Sequence, residues 1–253
     1  MNYIKLFETF RNLLTKNEIK TILTYPSYKG TYKLVFEYNN KIIKFLSIED
    51  SSYEILNCIK QKNINLPILP KIYEIGKIKK RKDTWFIDLY KKLPESIFNQ
   101  NINDIYYIIE EKINISSKLT KDIEKLLSLY SHWKLNFNYK GTGDILYDLQ
   151  IIIYDKWGPY LESFDYKEIS ILRKYLDEFK KTLDVNLLSI YNDLVKSYTL
   201  CKNNNIIISD TNQDNYGLNK NGELVIIDLE DSLNFSYISN GFILPEKLLD
   251  NII

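Results

Sequence analysis

Apolar and polar residues follow one another in patterns that predict a helix and then a small sheet at the start of the chain. Residues 2–24 have apolar side chains near helical spacing and predict one or two helices. Residues 27–38 predict a strand that turns at Asn39-Asn40 into a second strand, Lys41 to Leu46. The first part of the chain is therefore expected to be a sheet with a helix packed on it.

The next segments predict one more helix and two more strands. Residues 50–62 have helical spacing, with serines available to cap the first turn. Residues 65–76 predict a loop and a strand. The run from residue 84 to 90, Thr-Trp-Phe-Ile-Asp-Leu-Tyr, is interpreted as a buried strand.

The middle of the chain is predominantly helical in pattern, and a hairpin is expected after it. Helices are predicted over residues 105–133, 145–157, 166–183 and 187–201. A short apolar strand from Ile206 and a polar loop follow. Asn221-Gly222 then predicts a tight two-residue turn, because this pair tolerates positive φ angles. The apolar run from Leu224 to Ile227 ends at Asp228.

Composition disfavours several classes of protein function. The 253 residues include 34 basic and 33 acidic side chains, so the net charge of +1 does not indicate broad binding to nucleic acid or to an anionic membrane. Two cysteines and one histidine, His132, disfavour a disulfide framework, a zinc hydrolase and a Ser-His-Asp enzyme. No signal peptide or membrane helix is evident in the pattern, and a cytoplasmic protein is expected.

Three polar residues near the end of the chain carry candidate chemistry. Asp210 and Asn215 lie on one loop, and Asp228 follows the predicted hairpin. This order resembles the catalytic and metal-binding loops of protein-kinase-like phosphotransferases. The resemblance implies that Asp210 is the catalytic base and that Asn215 and Asp228 hold Mg²⁺ with ATP, with Glu230 as a further group near the metal. The His-Arg and Phe-Gly pairs that usually flank these positions are replaced by Ile208-Ser209 and Leu229-Glu230.

The first part of the chain resembles the smaller lobe of the same family. Gly30 stands in the position of the glycine-rich loop, of which one glycine remains, and Lys44 in the position of the lysine that binds the phosphates. Glu54, ten residues later on the predicted helix, is the expected partner of Lys44, and Glu49 is the reserve. The strand over 84–90 would lead to the hinge, where the backbone around Leu89, Tyr90 and Lys91 would meet the adenine.

The resemblance implies an α+β, two-lobed, protein-kinase-like fold. Residues 1–90 would form a lobe with a small antiparallel sheet, and residues 91–253 a mainly helical lobe. Leu93 and Asp210 are 117 positions apart (210 − 93), a longer interval than in eukaryotic-type protein kinases. Aminoglycoside and choline phosphotransferases insert helices here, and reduced kinase-like proteins of phages and viruses have a similar outline.

The expected function is an ATP- and Mg²⁺-dependent kinase that transfers the γ-phosphate to a hydroxyl group of a protein Ser/Thr or of a small-molecule alcohol. The single glycine in the loop and the replaced flanking pairs leave a pseudokinase, a nucleotide-binding or regulatory module, as the alternative. A third interpretation is a helical interaction protein that binds no nucleotide. No nucleic-acid or membrane partner is expected.

Overall fold

A computed structural model of the chain describes most of the residues between Leu14 and Asp228. The described residues are 14–30, 33–46, 48–79, 82–94, 104–137, 141–154, 166–206, 208 and 212–228. They fall into two compact units. The first contains the described residues of 14–66 and 70–112, and the second contains 67–69 and the described residues of 113–228.

The first unit is built on a five-stranded antiparallel sheet. Its spatial strand order is β1-β2-β3-β5-β4, and each strand is antiparallel to its neighbours. The strands are β1 (Ser27–Lys29), β2 (Lys33–Tyr38), β3 (Lys41–Leu46), β4 (Ile72–Lys79) and β5 (Asp104–Glu111). The turn between β2 and β3 is formed by Asn39 and Asn40, with φ of 51° and 58°, which confirms the turn predicted there.

Two of the three helices described in the first unit lie where the pattern predicts helix. Helix α1 (Lys16–Ile22) begins with a capping box, in which Thr15 and Glu18 each satisfy a backbone N–H group at the other residue. Helix α2 (Ile48–Ile64) connects β3 to β4 and contacts β4 and β5. Ile55, Cys58 and Ile59 of α2 are buried at helical spacing.

The third helix, α3 (Thr84–Lys92), corrects the strand predicted over residues 84–90. A strand would place Trp85, Ile87 and Leu89 on one face. Instead Trp85, Phe86 and Leu89 are buried, while Ile87 is 41% exposed, which is the spacing of a helix face. A short apolar run does not distinguish the two structures by itself, and here the side chains pack with a period near 3.6.

Strand β5 corrects the beginning of the helix predicted over residues 105–133. The run from Ile105 to Ile109 is entirely buried because β5 lies between β3 and β4 in the sheet. Helix begins only at Ser117, after the N-cap Ser116. Because β5 completes the sheet, the first unit continues to Lys112, whereas a lobe boundary after residue 90 was expected.

The second unit is mainly helical, as expected. Its helices are α4 (Ser117–Lys134), α5 (Ile145–Tyr154), α6 (Tyr166–Lys180) and α7 (Val185–Asn203). The described chain is therefore an α+β protein, with an antiparallel sheet in the first unit and helices dominating the second. No helix within the described ranges is both long and apolar enough to cross a membrane.

A hairpin of β6 (Tyr216–Leu218) and β7 (Leu224–Ile226) follows the helices. The hairpin is where it was predicted, but its turn is longer than two residues. Asn219 and Glu223 close a five-residue loop, and the Asn219 side chain accepts N–H bonds from Asn221 and Glu223. Of the predicted turn pair, Gly222 alone has a positive φ, 79°.

Asp148 is a fully buried carboxyl group in α5. Its oxygens accept hydrogen bonds from the Tyr130 hydroxyl at 2.9 Å and from the Thr142 backbone N–H and hydroxyl at 2.9 and 3.0 Å. Burial raises the pKa of Asp148 to about 6, and the hydrogen bonds from Thr142 and Tyr130 oppose that rise. The residue ties the loop before α5 to α4.

Gly76 is expected to tolerate no side chain, because a β-carbon there would overlap the phenol of Tyr107, the facing residue on β5. Tyr107 is fully buried, and its hydroxyl bonds Glu74. Gly76→Ala should therefore lower the free energy of unfolding by about 1–3 kcal/mol in urea titrations. Gly222→Ala is the control for backbone strain alone, since nothing lies within 4 Å of its β-carbon position. An unchanged free energy of unfolding in Gly76→Ala would contradict steric overlap at Gly76.

Asp148 should make stability fall as pH rises from about 4 to about 6. In this window the carboxyl is ionised in the unfolded chain but protonated in the folded one, so the folded state binds more protons. The free energy of unfolding of the wild type should drop by about 2–3 kcal/mol more than that of Asp148→Asn across the window. Denaturant titrations at several pH values measure this difference. Parallel pH profiles for the two proteins would show that Asp148 keeps an ordinary pKa.

Candidate functional site

Lys44 occupies the centre of the sheet in the first unit. It lies on β3 opposite Val35 of β2 and Ile108 of β5. The residue is 6% exposed. A buried lysine is unusual, because removing an ammonium group from water is costly unless carboxylates or other acceptors surround it.

The Lys44 ammonium is paired with Glu54, the residue predicted as its partner. Glu54 is carried by α2, is 1% exposed, and places Oε1 at 3.0 Å from Lys44 Nζ. The expected pairing of a β3 lysine with a helix glutamate is thus present. Glu49, the reserve, is in the first turn of α2, and its side chain lies outside the described residues.

A second carboxylate, Glu110, also contacts Lys44, and sequence reasoning missed it. Glu110 Oε1 lies 3.0 Å from Lys44 Nζ, and the residue is 5% exposed. It was missed because residues 105–133 were interpreted as helix, which gives Glu110 no reason to face β3. A strand interpretation of the apolar run before it would have placed Glu110 in a sheet, but it would not have identified β3 as the neighbouring strand.

Lys33 completes a buried group of four charges, defined here as the charge cluster: Lys33, Lys44, Glu54 and Glu110. Lys33 Nζ lies 3.6 Å from Glu54 Oε2, a distance at which attraction remains but no hydrogen bond forms, and this oxygen has no hydrogen-bond partner among the described residues. Two ammonium groups face two carboxylates, so the cluster is formally neutral. Burial, together with Glu54 and Glu110, raises the pKa of the neighbouring Cys58 thiol well above its ordinary value.

Gly30 lies in the connection between β1 and β2, whose residues 31 and 32 are outside the described ranges. Its N–H donates to the Lys33 carbonyl at 2.9 Å. A β-carbon at Gly30 would lie 3.2 Å from Lys33 Cγ, so the glycine makes room for the stem of a lysine in the charge cluster. Its predicted role in holding phosphate stays a prediction.

Leu89, Tyr90 and Lys91 do not form the hinge strand that was predicted. All three are in α3, where backbone groups take part in helical hydrogen bonding, and Leu89 is fully buried. The Tyr90 carbonyl accepts the N–H of Leu93 at the helix end. Backbone N–H and C=O groups that bond one another within a helix are not available to hydrogen-bond an adenine ring. The strand that leads out of the first unit is β5 instead.

In the second unit, the structure brings Asn215 close to the residue that precedes Asp228. Asn215 ends a 3₁₀ turn, Gln213–Asn215, that is capped by the Asn212 side chain. The Asn215 carbonyl accepts the N–H of Ile227 at 2.9 Å, just beyond the end of β7. Hairpin and turn thus hold the two expected metal ligands on neighbouring stretches of backbone. Asp210 and Glu230 lie outside the described residues.

The segment that approaches Asp210 is held by hydrogen bonds from a helix, although Ile206 was predicted to begin a strand. Neither Ile206 nor Ile208 is in a strand, and both are buried. The Gln150 side-chain amide donates to the Ile208 carbonyl at 2.6 Å, and the Tyr154 hydroxyl donates to the Ile206 carbonyl at 3.1 Å. Sequence reasoning missed both α5 residues, although a glutamine within an apolar helix indicates a buried hydrogen bond.

The ligand types at Asn215 and Asp228 suit a hard cation. Carboxylate and amide oxygens are the side-chain groups that Mg²⁺ accepts, and a magnesium ion held with a nucleotide takes few of them. Among the described residues no cluster of three or more His, Cys, Asp or Glu side chains could hold a metal ion. One aspartate and one asparagine do not require such a cluster, because nucleotide phosphates supply further oxygens.

Glu54→Gln should destabilise the first unit strongly, because it removes the buried carboxylate that faces both Lys33 and Lys44. We expect a loss of about 3 kcal/mol in the free energy of unfolding, measured by urea titration. Glu37→Gln is the matched control, since its ion pair with Lys112 is partly exposed and should be worth less than about 1 kcal/mol. Comparable losses in the two variants would show that the charge cluster contributes no more than a surface pair.

The chemistry assigned to the site depends on its own residues and on the resemblance of their motifs. Comparison of the sequence with models of known protein families found no match, and comparison with curated proteins found none either. The Lys44–Glu54 pair and the Asn215 turn beside β7 are therefore the observations on which a function must be argued.

Proposed function

We propose that the protein is an ATP- and Mg²⁺-dependent phosphotransferase that transfers the γ-phosphate to a hydroxyl group. The observation that carries the proposal is the buried pair of Lys44 on β3 and Glu54 on α2, 3.0 Å apart. A lysine placed at the centre of a sheet is costly for stability, and buried charges of this kind are common where a protein binds a charged ligand. The pair also matches the order of lysine strand and acidic helix in the resemblance.

In this reaction the acceptor hydroxyl oxygen forms a bond to the γ-phosphorus, and the bond to the ADP oxygen breaks. Asp210 would accept the proton of the hydroxyl, and Lys44, held by Glu54, would contact the phosphate oxygens. Asn215 and Asp228 would hold magnesium, which neutralises phosphate charge when it is bound. Catalysis of this type is positioning and charge neutralisation, with no covalent intermediate on the protein.

The adenine contacts move to a different stretch of backbone in this proposal. The helical α3 argues against Leu89, Tyr90 and Lys91, so we assign the role to the connection that follows β5, Lys112 to Asn114. Support comes from the chain path, because the first unit ends at Lys112. The Asn114 carbonyl accepts the N–H of Leu218 in β6, which fixes the end of this connection within the second unit.

The acceptor is a Ser/Thr hydroxyl of a protein or the hydroxyl of a small alcohol. The helices between β5 and Asp210 are longer in total than protein-kinase-like chains of the eukaryotic type require, which favours a small alcohol. A screen of ATP consumption against pools of small alcohols and of peptides separates the two acceptor classes.

A pseudokinase is the second candidate, and two observations favour it. Gly30 is the one glycine of the β1–β2 connection, and Lys44 is paired with Glu110 as well as with Glu54. Both features weaken the grip on phosphates. This candidate predicts binding of nucleotide without transfer to any acceptor.

Asp210→Ala should slow ATP turnover severely while leaving nucleotide binding in place. Full-length protein is incubated with radiolabelled ATP, Mg²⁺ and the acceptor pools, and phosphate transfer is measured. Loss of a general base should reduce the rate by about 10²- to 10⁴-fold. Asp214→Ala is the matched control, because Asp214 is an exposed acid on the same loop with no assigned role, and its rate should stay near that of the wild type.

The outcomes separate the candidates. Turnover that is lost in Asp210→Ala and kept in Asp214→Ala supports the enzyme. Binding of ATP by the wild type without turnover on any acceptor favours the pseudokinase. A wild type that shows neither binding nor a thermal shift with ATP and Mg²⁺ overturns both and leaves the helical interaction protein.

A further inference from the structure

We propose that Glu110 competes with the phosphates of the nucleotide for Lys44, and so lowers the affinity of the protein for ATP. The inference rests on the proposed function, since it assumes that Lys44 is the phosphate-binding lysine. It assigns a role to a residue that the resemblance leaves without one.

The geometry places Lys44 between carboxylates from two different elements. Glu54 reaches it from α2 and Glu110 from β5, and each carboxylate has an oxygen 3.0 Å from Lys44 Nζ. An ammonium group has three donor hydrogens with tetrahedral directions. The two glutamates use two of these directions. A phosphate oxygen must therefore approach an ammonium group that is already bound to two carboxylates.

The charge balance of the cluster points the same way. Two lysines and two glutamates, all less than a tenth exposed, cancel formally. A neutral cluster offers little net attraction to a triphosphate, and its two carboxylates repel it at close range. A charge cluster that served only to attract phosphate would contain fewer acids than bases.

Glu54 is the carboxylate that stays with the charge cluster when Lys44 moves. Glu54 faces Lys33 at 3.6 Å as well as Lys44, so it keeps a cation even when Lys44 turns toward phosphate. Glu110 is the second-last residue of β5, next to the end of the strand. We therefore expect that nucleotide binding breaks the Glu110–Lys44 contact and preserves the Glu54–Lys44 contact.

The test measures binding of Mg²⁺-ATP and of adenosine by calorimetry in full-length wild type, Glu110→Gln and Glu178→Gln. Removing the competing charge should tighten ATP binding by about tenfold, which corresponds to about 1.4 kcal/mol. Adenosine carries no phosphate, so its affinity should be equal in all three proteins. Glu178→Gln removes the same charge from an exposed pair with Lys181 on the second unit and should bind ATP as the wild type does.

Glu110→Gln leaves one buried positive charge in excess and could fail to fold. A second pair of variants avoids this problem, because Lys33→Met combined with Glu110→Gln keeps the cluster neutral. The double variant should bind ATP more tightly than Lys33→Met alone, again by about tenfold, with adenosine unchanged.

The results distinguish failure of the inference from failure of the proposed function. Unchanged or weaker ATP binding after loss of Glu110, in a protein whose wild type binds ATP, overturns the inference alone and assigns Glu110 the role of holding Lys44 in place. Equal tightening by Glu178→Gln also overturns it, because the effect would then come from the change in net charge and not from the place of Glu110. Absence of ATP binding in the wild type and in every variant overturns both the inference and the proposed function.

Discussion

The placement of the Lys44 ammonium inside the first unit is the constraint on which the rest of that unit depends. A charge in the centre of a sheet requires carboxylates that are themselves buried, and these must come from elements that pass on either side of it. Helix α2 supplies Glu54, and strand β5 supplies Glu110. The order of the strands, with β5 inserted between β3 and β4, is what brings the second acid within reach.

Such an arrangement is a poor way to stabilise a fold. Apolar residues of similar volume in the same positions would commonly give equal or greater stability, since desolvation of the ions offsets much of their attraction. The surrounding sheet already has a large apolar core, including Leu34, Phe36, Ile43 and Phe45. Support of the sheet therefore does not by itself explain the four charges, and this is the physical argument behind the proposed function.

Local chemistry made part of the fold predictable from sequence. Asn39-Asn40 fixed the β2–β3 turn, and helical spacing located α2 and the helices of the second unit. The errors occur where an apolar run fits either structure. Residues 84–90 were predicted as a strand and form a helix. Residues 104–111 form a strand because they pair with two strands that are distant in sequence, and no local pattern shows this pairing.

The candidate site shows the same division. The Lys44–Glu54 pair was predictable because both residues lie in elements with clear local patterns, ten positions apart. Glu110 was not predictable, because its contact depends on the non-local register of β5. Gln150 and Tyr154 were missed for a similar reason, since they bind backbone carbonyls more than fifty residues away along the chain.

Residues 67–69 show that the two units are interleaved along the chain. They lie between α2 and β4 of the first unit but belong to the second, where the Ile68 carbonyl accepts the N–H of Ile226 on β7. A fragment beginning at Ile113 would lack this acceptor, and a buried backbone N–H would lose its partner. During synthesis on the ribosome, residues 67–69 emerge 155 residues (224 − 69) before β7, the last strand described in the second unit, and must wait for it.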